Sequence, residues 1–416
     1  MKDVVPHYIA KIEGHGSLRI DFTSDIAELG IHEGERLFEP MMLGRDYLDA
    51  TFITQRICGV CPTAHCMASI KALEYAMDVE VSETTRNLRK LMLCGQMIQS
   101  HALHLFFLVL PDYINADSAL DLVDAAPDKF QMALNLKKIG DKIVEVVGGR
   151  PVHPITPTVG GFSQVPSEEE LERLGRELEL TLKDGVEAVQ LFASLEYPEM
   201  ERASEYLSIM ADNKYGFYGG LINSTSGDVF EIDEYKTNIE ETVKPYSTAK
   251  RGERDGHGIM VGALARMNLH SSYLMPMAAK ELKKSRIRFP SYNSFHNNFA
   301  QAVETLHFIE EAIERIEDTL SDGLNDYTPD YDVASGVGHG AVEAPRGTLY
   351  YTYGLDSKGK LRECNIITPT VQNLTNIESD AEEVLHMTDG KSRKHREHLL
   401  EMLIRAYDPC ITCSVH

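Results

Sequence analysis

Arg56–His65 reads RICGVCPTAH and Asp408–His416 reads DPCITCSVH, so one CxxC pair stands early in the chain and a second stands at its far end. A CxxC spacing lets both sulfurs face one ion, and two such pairs make a four-coordinate soft site. Cys58, Cys61, Cys410 and Cys413 reach a common ion only if both ends of the chain meet in the interior. That condition predicts one large unit closed around a buried metal. Pro62, directly after Cys61, takes a first helical position, and Ala64–Met77 reads as the helix it opens. Cys61 is therefore expected at a helix N-terminus, where partial positive charge favours the thiolate that binds metal.

The chain has 416 residues, enough for a deep core and more than one layer, and residues 1–416 are expected to form a single domain. With 64 acidic against 41 basic side chains the formal charge is −23, which repels nucleic acid and anionic lipid. The opening MKDVVPHYIAKIEG has no apolar h-region, so a cytoplasmic protein is expected. The apolar run Leu103–Leu110, interrupted by His104, falls short of the roughly 20 residues that span a bilayer, and direct membrane insertion is not expected. Seven cysteines, an odd number, argue for metal or redox chemistry rather than a disulfide framework in that compartment. Cys66, Cys94 and Cys364 read as small buried hydrophobes.

Helical patterns dominate. Ser82–Leu110 reads as one long helix, and a second runs from Pro127 to Gly148 and Gly149 with Phe130, Leu134, Ile139, Ile143 and Val147 on one face. Ser167–Glu170 is a capping box ahead of the stripe Leu171, Leu174, Leu178, Leu182 and Val189, and Phe299, Val303, Leu306, Ile313, Ile316 and Leu320 draw another. These stripes read as bundle core rather than cofactor contacts. Strand signals are small: paired strands between His7 and Phe22, and a hairpin made by GTLYYTYGL and KLRECNIIT around the turn Asp356–Gly359. Residues 213–257, rich in Gly, Ser, Tyr and charge, read as a loop-rich insertion with short strands. The fold class is α+β, predominantly helical, with a central bundle of long helices and small peripheral β-hairpins.

Spacing alone does not name the metal. Structural zinc takes four cysteines, but its two knuckles usually belong to one small loop, and here nearly the whole chain intervenes. Soft sulfur ligands also suit nickel and iron, so zinc and a redox metal both stay open. A thioredoxin-like role is disfavoured, because no βαβ pattern surrounds either pair and Pro62 lies outside the CxxC.

Further motifs run in order through the chain: KIEGHG at Lys11, RLFEPMMLGRD at Arg36, SHALHLFFLVLPDY at Ser100, EAPRG at Glu343 and IITPT at Ile366. Together with the two cysteine signatures they resemble the nickel-iron hydrogenase large (catalytic) subunit. YGFYGGLI at Tyr215 adds a likeness to the soluble, bidirectional, nicotinamide-linked branch known as sulfhydrogenase. The resemblance implies the large-subunit fold and reversible heterolytic splitting of dihydrogen.

In that family all four cysteines bind nickel, and one of each pair bridges to an iron that carries cyanide and carbon monoxide. By position the resemblance makes Cys61 and Cys413 bridging, Cys58 and Cys410 terminal on nickel, and Cys410 the thiolate that takes a proton. It gives Glu13 the removal of that proton, sets Arg346 over the open metal position with Asp408 holding it, and matches Pro369 and Thr370 to the segment that donates hydrogen bonds to cyanide. Glu39, His416 and the backbone carbonyl of Ile366 match ligands of a magnesium ion. Outside the resemblance, Glu13 reads as a solvated charge, Arg346 as a turn arginine, Asp408 as a helix cap and His416 as a frayed terminus. One departure is recorded: Ser100 stands where many members have an acidic residue, so a second carboxylate beside Arg346 is expected to be missing. The chain ends where mature members end after a tail is removed, and processing or a tailless gene are both open.

With four cysteines committed to nickel, the other three cannot hold an iron–sulfur cluster. Gly336, Gly338 and Gly340 in SGVGHGAVEAPRG lack the GxGxxG spacing of a dinucleotide site. Iron–sulfur clusters and any flavin or nicotinamide are therefore assigned to partners: an iron–sulfur small subunit and electron-transfer (diaphorase) subunits that reduce NAD(P), with a maturation protease and nickel-insertion factors acting earlier. The alternatives are a deazaflavin-linked or electron-bifurcating hydrogenase large subunit, a non-catalytic scaffold like the homologous subunit of respiratory complex I, which lacks the four cysteines, and a zinc-stabilised structural protein.

Overall fold

Capping residues delimit the four long helices that fill the centre. A computed structural model describes residues 5–114, 116, 118, 120–324 and 329–416. Ser82 caps the helix Glu83–Leu103 by accepting from the Thr85 amide, Pro127 opens the helix Pro127–Gly148, and Gly149 closes it in the left-handed region at φ 76°. The Ser167–Glu170 box is formed as expected and starts the helix Glu168–Ala193, while Asn297–Asp322 is the fourth. Glu83–Leu103 packs on Pro127–Gly148 and on Asn297–Asp322, and Glu168–Ala193 packs on the same two. Where the first pair crosses, a Cβ on Gly140 would lie 2.6 Å from the Gly95 carbonyl oxygen, so only glycine permits that approach. The expected stripes are buried except Leu134, which is exposed, and Phe130, Leu182, Ile313 and Leu320, which are partly covered.

The helix expected over Ser82–Leu110 is not α-helical throughout. His104–Val109 is a π-helical stretch, followed by a short α-helix at Leu110–Tyr113. The widened turn re-aims His104 and its neighbours relative to the preceding helix. On length and composition Glu83–Tyr113 is long and apolar enough to cross a bilayer, which the short run Leu103–Leu110 does not reveal; 83% of its most apolar window is buried inside the fold.

Strands β1 (Val5–Tyr8), β2 (Gly16–Asp21) and β3 (Ile26–Ile31) form an antiparallel sheet, one strand more than the expected pair. β4 (Pro157–Thr158) and β5 (Gly161–Phe162) make a small ribbon. β6 (Glu205–Met210), β7 (Leu221–Ser224), β8 (Val229–Phe230), β9 (Glu240–Thr242), β10 (Arg251–Arg254) and β11 (His257–Met260) build a six-stranded sheet in the order β8-β7-β6-β11-β10-β9. The short strands expected within residues 213–257 thus join into a sheet larger than a hairpin, through the parallel pair β6/β11 that no local turn announces.

β12 (Gly336–Ala344), β13 (Gly347–Leu355) and β14 (Leu361–Ile367) are antiparallel, and the last two are the expected hairpin. β12 lies flat on the helix Pro62–Met77 that begins at Cys61. A Cβ would fall 2.2 Å from the Ala76 oxygen at Gly336, 2.0 Å from the Ala72 oxygen at Gly338 and 2.3 Å from the Ala68 oxygen at Gly340. The alternating glycines therefore serve helix–strand packing. Gly338→Ala should lower stability by about 1–3 kcal/mol through overpacking, read as a fall in thermal unfolding temperature; an unchanged temperature would show that strand and helix separate freely.

The helices Pro369–Met387 and Arg393–Ala406 pack on one another, and the last residues then enter the centre with a short helix at Ile411–Ser414.

Candidate metal centre

Cys58 follows a helical turn at Gln55–Ile57, and Cys61 stands at the N-cap of Pro62–Met77, as its proline neighbour indicates. Cys410 caps the short terminal helix, and Glu13 forms a parallel bridge with it, with the Ile411 amide donating to the Glu13 carbonyl at 3.1 Å. Both ends of the chain thus meet in the interior. The four Sγ atoms lie within 4.8 Å of one another, the only such grouping of three or more metal-ligating side chains among the described residues. Cys58 and Cys410 are 3.4 Å apart, Cys61 and Cys413 3.4 Å, and Cys410 and Cys413 2.9 Å, all no more than 4% exposed. Sulfurs this close and this dry require a shared cation or shared protons.

Burial alone would raise the Cys58 thiol, yet hydrogen bonds with Cys410, Cys413 and Cys61 carry it well below the ordinary range. Its sulfur also accepts from the amides of Val60 and Cys61 at 3.2 and 3.3 Å. Cys413 is pushed well up, chiefly by burial. A soft divalent cation would hold all four as thiolates.

Arg346 faces this cluster. Its Nε donates to the Asp408 carbonyl at 2.6 Å and its Nη2 to Asp408 Oδ1 at 2.8 Å. Burial opposes its charge, but Asp408 and then Cys410, Cys61 and Cys58 keep it firmly protonated. Nη1 is buried with no partner among the described residues, a charged donor that suits an anionic or dipolar group on a bound metal. The EAPRG turn is gripped by Arg266, which donates to Glu343 at 2.8 Å and to the carbonyls of Ala344 and Pro345 at 3.1 Å each, while Glu304 pairs with it at 2.6 and 2.7 Å. Asp408 sits at φ 53°, a left-handed backbone that a non-glycine residue adopts only when its surroundings hold it. Ser100 is buried and its hydroxyl has no partner among the described residues; Asp408 is the carboxylate that Arg346 pairs with there.

The Glu13 carboxylate accepts from the Thr412 amide at 3.1 Å and from the Thr412 hydroxyl. Burial, then the negative Cys410, push it up to about 7. Thr370, behind the helix-opening Pro369, accepts from the Cys410 amide at 2.9 Å, which leaves its hydroxyl proton free to donate. Glu39 accepts from the Ile366 amide at 2.7 Å and from Lys250 at 3.3 Å, and His416 Nε2 is 2.8 Å from the Ile366 carbonyl oxygen. The candidate catalytic and metal-ligating residues therefore fall in two adjoining groups, around the sulfurs and around Ile366.

Other residues join them. His65 Nε2 is 3.8 Å from Cys413 Sγ, and its Nδ1 is 2.6 Å from the Tyr351 hydroxyl; burial lowers this histidine to about 3, so the ring is neutral. Arg36 Nη2 donates to the carbonyls of Ile57 and Thr412, tying both cysteine arms together. Both residues stand inside motifs quoted above, His65 closing RICGVCPTAH and Arg36 opening RLFEPMMLGRD. Lys250 also meets Glu241 at 3.2 Å; no motif marks it.

Residues 36–131 and 213–416 match the family described as Nickel-dependent hydrogenase. The chain is 35% identical to the Sulfhydrogenase 1 subunit alpha of Pyrococcus furiosus, over 98% of this chain and 96% of that one. It is 29% identical to the NAD-reducing hydrogenase HoxS subunit beta of Cupriavidus necator, over 98% and 93%. The crystal structure of an NAD+-reducing [NiFe]-hydrogenase in the H2-reduced state superposes with a TM-score of 0.87 at 24% identity, covering 99% of this chain and 98% of that one.

Proposed function

Because this chain belongs to the nickel-dependent hydrogenase family, as the catalytic large subunit that oxidises dihydrogen at a nickel-iron site bound by four cysteines, we propose that it works as one domain in a cytoplasmic complex whose electrons pass through an iron–sulfur small subunit to NAD(P). The observation that carries the chemistry is the cluster of four buried sulfurs beside Arg346, whose Nη1 has no partner among the described residues. The name of the Cupriavidus relative, an NAD-reducing hydrogenase, supports a nicotinamide acceptor.

Cys58, Cys61, Cys410 and Cys413 would hold the metals, Cys61 and Cys413 as the sulfurs shared between nickel and iron and Cys58 and Cys410 as ligands of nickel alone. When bound, the metals would supply a place for dihydrogen to bind and a store for its two electrons, with cyanide and carbon monoxide as the further ligands expected on iron. The protein's own groups move the protons. Cys410 Sγ accepts the first, since a terminal thiolate is a base at the reacting centre. Glu13, held by Thr412 at the same turn, takes it from the sulfur and passes it outward. Arg346 would keep a fixed positive charge beside the bound metals, and Asp408 holds its orientation. The Thr370 hydroxyl and the N-terminus opened by Pro369 offer donors to a cyanide ligand. Glu39, the Ile366 carbonyl and His416 would hold a magnesium ion, and His416 Nδ1 is also 2.7 Å from the Cys413 carbonyl.

Elemental analysis with infrared spectroscopy on the complex from its native host tests this reading. Nickel and iron in equal amounts, with cyanide and carbonyl bands, are the expected result. Zinc alone, without such bands, would withdraw the catalytic assignment. Dihydrogen-dependent reduction of NAD+ or NADP+ by the same preparation tests the acceptor.

A further inference from the structure

Asp408 is the carboxylate that pairs with Arg346, so whatever fixes Asp408 fixes the guanidinium. Asp408 Oδ1 is taken by Arg346 Nη2, and Oδ2 accepts from Nε2 of Gln301 at 3.1 Å. Gln301 is 1% exposed on the helix Asn297–Asp322. A carboxylate only accepts, so the glutamine presents its NH2 there and turns its Oε1 to His104 Nδ1, 2.5 Å away. His104 Nε2 lies 2.6 Å from the Arg405 carbonyl oxygen, another atom that only accepts. His104 thus spans the Gln301 side chain and the Arg405 carbonyl, and its Nε2 is 3.9 Å from Asp408 Oδ1.

Three separate elements converge on one aspartate. His104 opens the π-helical stretch, Gln301 comes from a central bundle helix, and the Arg405 carbonyl closes the helix Arg393–Ala406 just before Asp408. A single π turn inside a long helix marks a place where side-chain aim outweighs regular hydrogen bonding. The left-handed backbone of Asp408 shows the same over-determination.

We propose that Gln301, backed by His104, is the positioning residue that fixes Asp408 and through it the orientation of Arg346 at the metal centre. The inference rests on the assignment of Arg346 to the open metal position. A buried glutamine with only a structural part would leave the metal's spectrum alone, whereas a guanidinium displaced by about 1 Å lowers turnover on the order of 100-fold.

Gln301→Leu and the near-isosteric Gln301→Glu, made in the full complex and matured in the native host, test it. Both variants are expected to keep wild-type nickel content, lose turnover by about 10- to 100-fold with an unchanged KM for the electron acceptor, and alter the nickel paramagnetic resonance spectrum. In an Arg346→Lys background, Gln301→Leu should cause no further loss, because both changes act through one group. Wild-type turnover and spectrum in either variant overturn the inference, as does a full multiplicative loss in the Arg346→Lys background. Nickel-free protein from both variants also overturns it, by placing Gln301 in metal retention. If Arg346→Lys alone leaves turnover intact, the arginine assignment falls first; if it loses turnover while both Gln301 variants keep theirs, only the Gln301 inference falls.

Discussion

Cys410→Ser should leave a folded chain that no longer oxidises dihydrogen, with a loss of at least about 1,000-fold, well within the range that a positioned proton acceptor contributes. Two effects act together. Serine replaces a soft, electron-rich sulfur with a hard oxygen, which weakens one of four ligands to nickel. It also removes the base from the position where Glu13 and Cys410 share a backbone bridge. Cys66 provides the comparison, because it lies on the helix Pro62–Met77 that begins at Cys61, is fully buried, and has a thiol pushed up to about 12 by that burial. Cys66→Ala should keep turnover, since an inert buried thiol acts as a small hydrophobe. Nickel content measured alongside turnover separates loss of metal from loss of chemistry, and wild-type activity in nickel-loaded Cys410→Ser would refute the role given to this sulfur.

The helices could be read because their ends are chemical: Ser82, Ser167, Pro127 and Gly149 each solve a local hydrogen-bonding or backbone problem that shows in the residue type. The π turn at His104–Val109 could not, because no composition distinguishes it from an α turn; it follows from what the side chains must reach. The six-stranded sheet escaped for a related reason. Its strands are two to six residues long, and β6 finds β11 across half a hundred positions that carry no hairpin signal. At the site, the cysteines announced themselves by spacing and by standing near both chain ends. Glu13, Arg346 and Glu39 needed the resemblance, since a single charge in a turn has no pattern of its own. Gln301, Arg266 and Lys250 escaped both routes, because their importance lies in long-range contacts with Asp408, the EAPRG turn and Glu39.

Glu13→Gln should divide proton movement from metal binding. The amide has nearly the shape of the carboxylate, and its oxygen can still accept from the Thr412 amide while its NH2 can meet the Thr412 hydroxyl, so the terminal turn keeps its anchor. An amide cannot take and release a proton at neutral pH. Nickel content should therefore match the wild type, while dihydrogen oxidation falls by about 100- to 10,000-fold, the range for a lost general acid–base group. Exchange between deuterium gas and water protons is the sharper measurement, because it needs proton exit from Cys410 but no electron transfer to a partner. It should fall together with turnover. Unchanged exchange in a nickel-loaded variant would mean that the proton leaves Cys410 by another route and that Glu13 only pins Thr412 and the chain end. The two substitutions thus fail differently if the assignment is right: at Cys410 the ligand set itself changes, whereas at Glu13 the metal centre stays spectroscopically intact and only the proton's exit is closed.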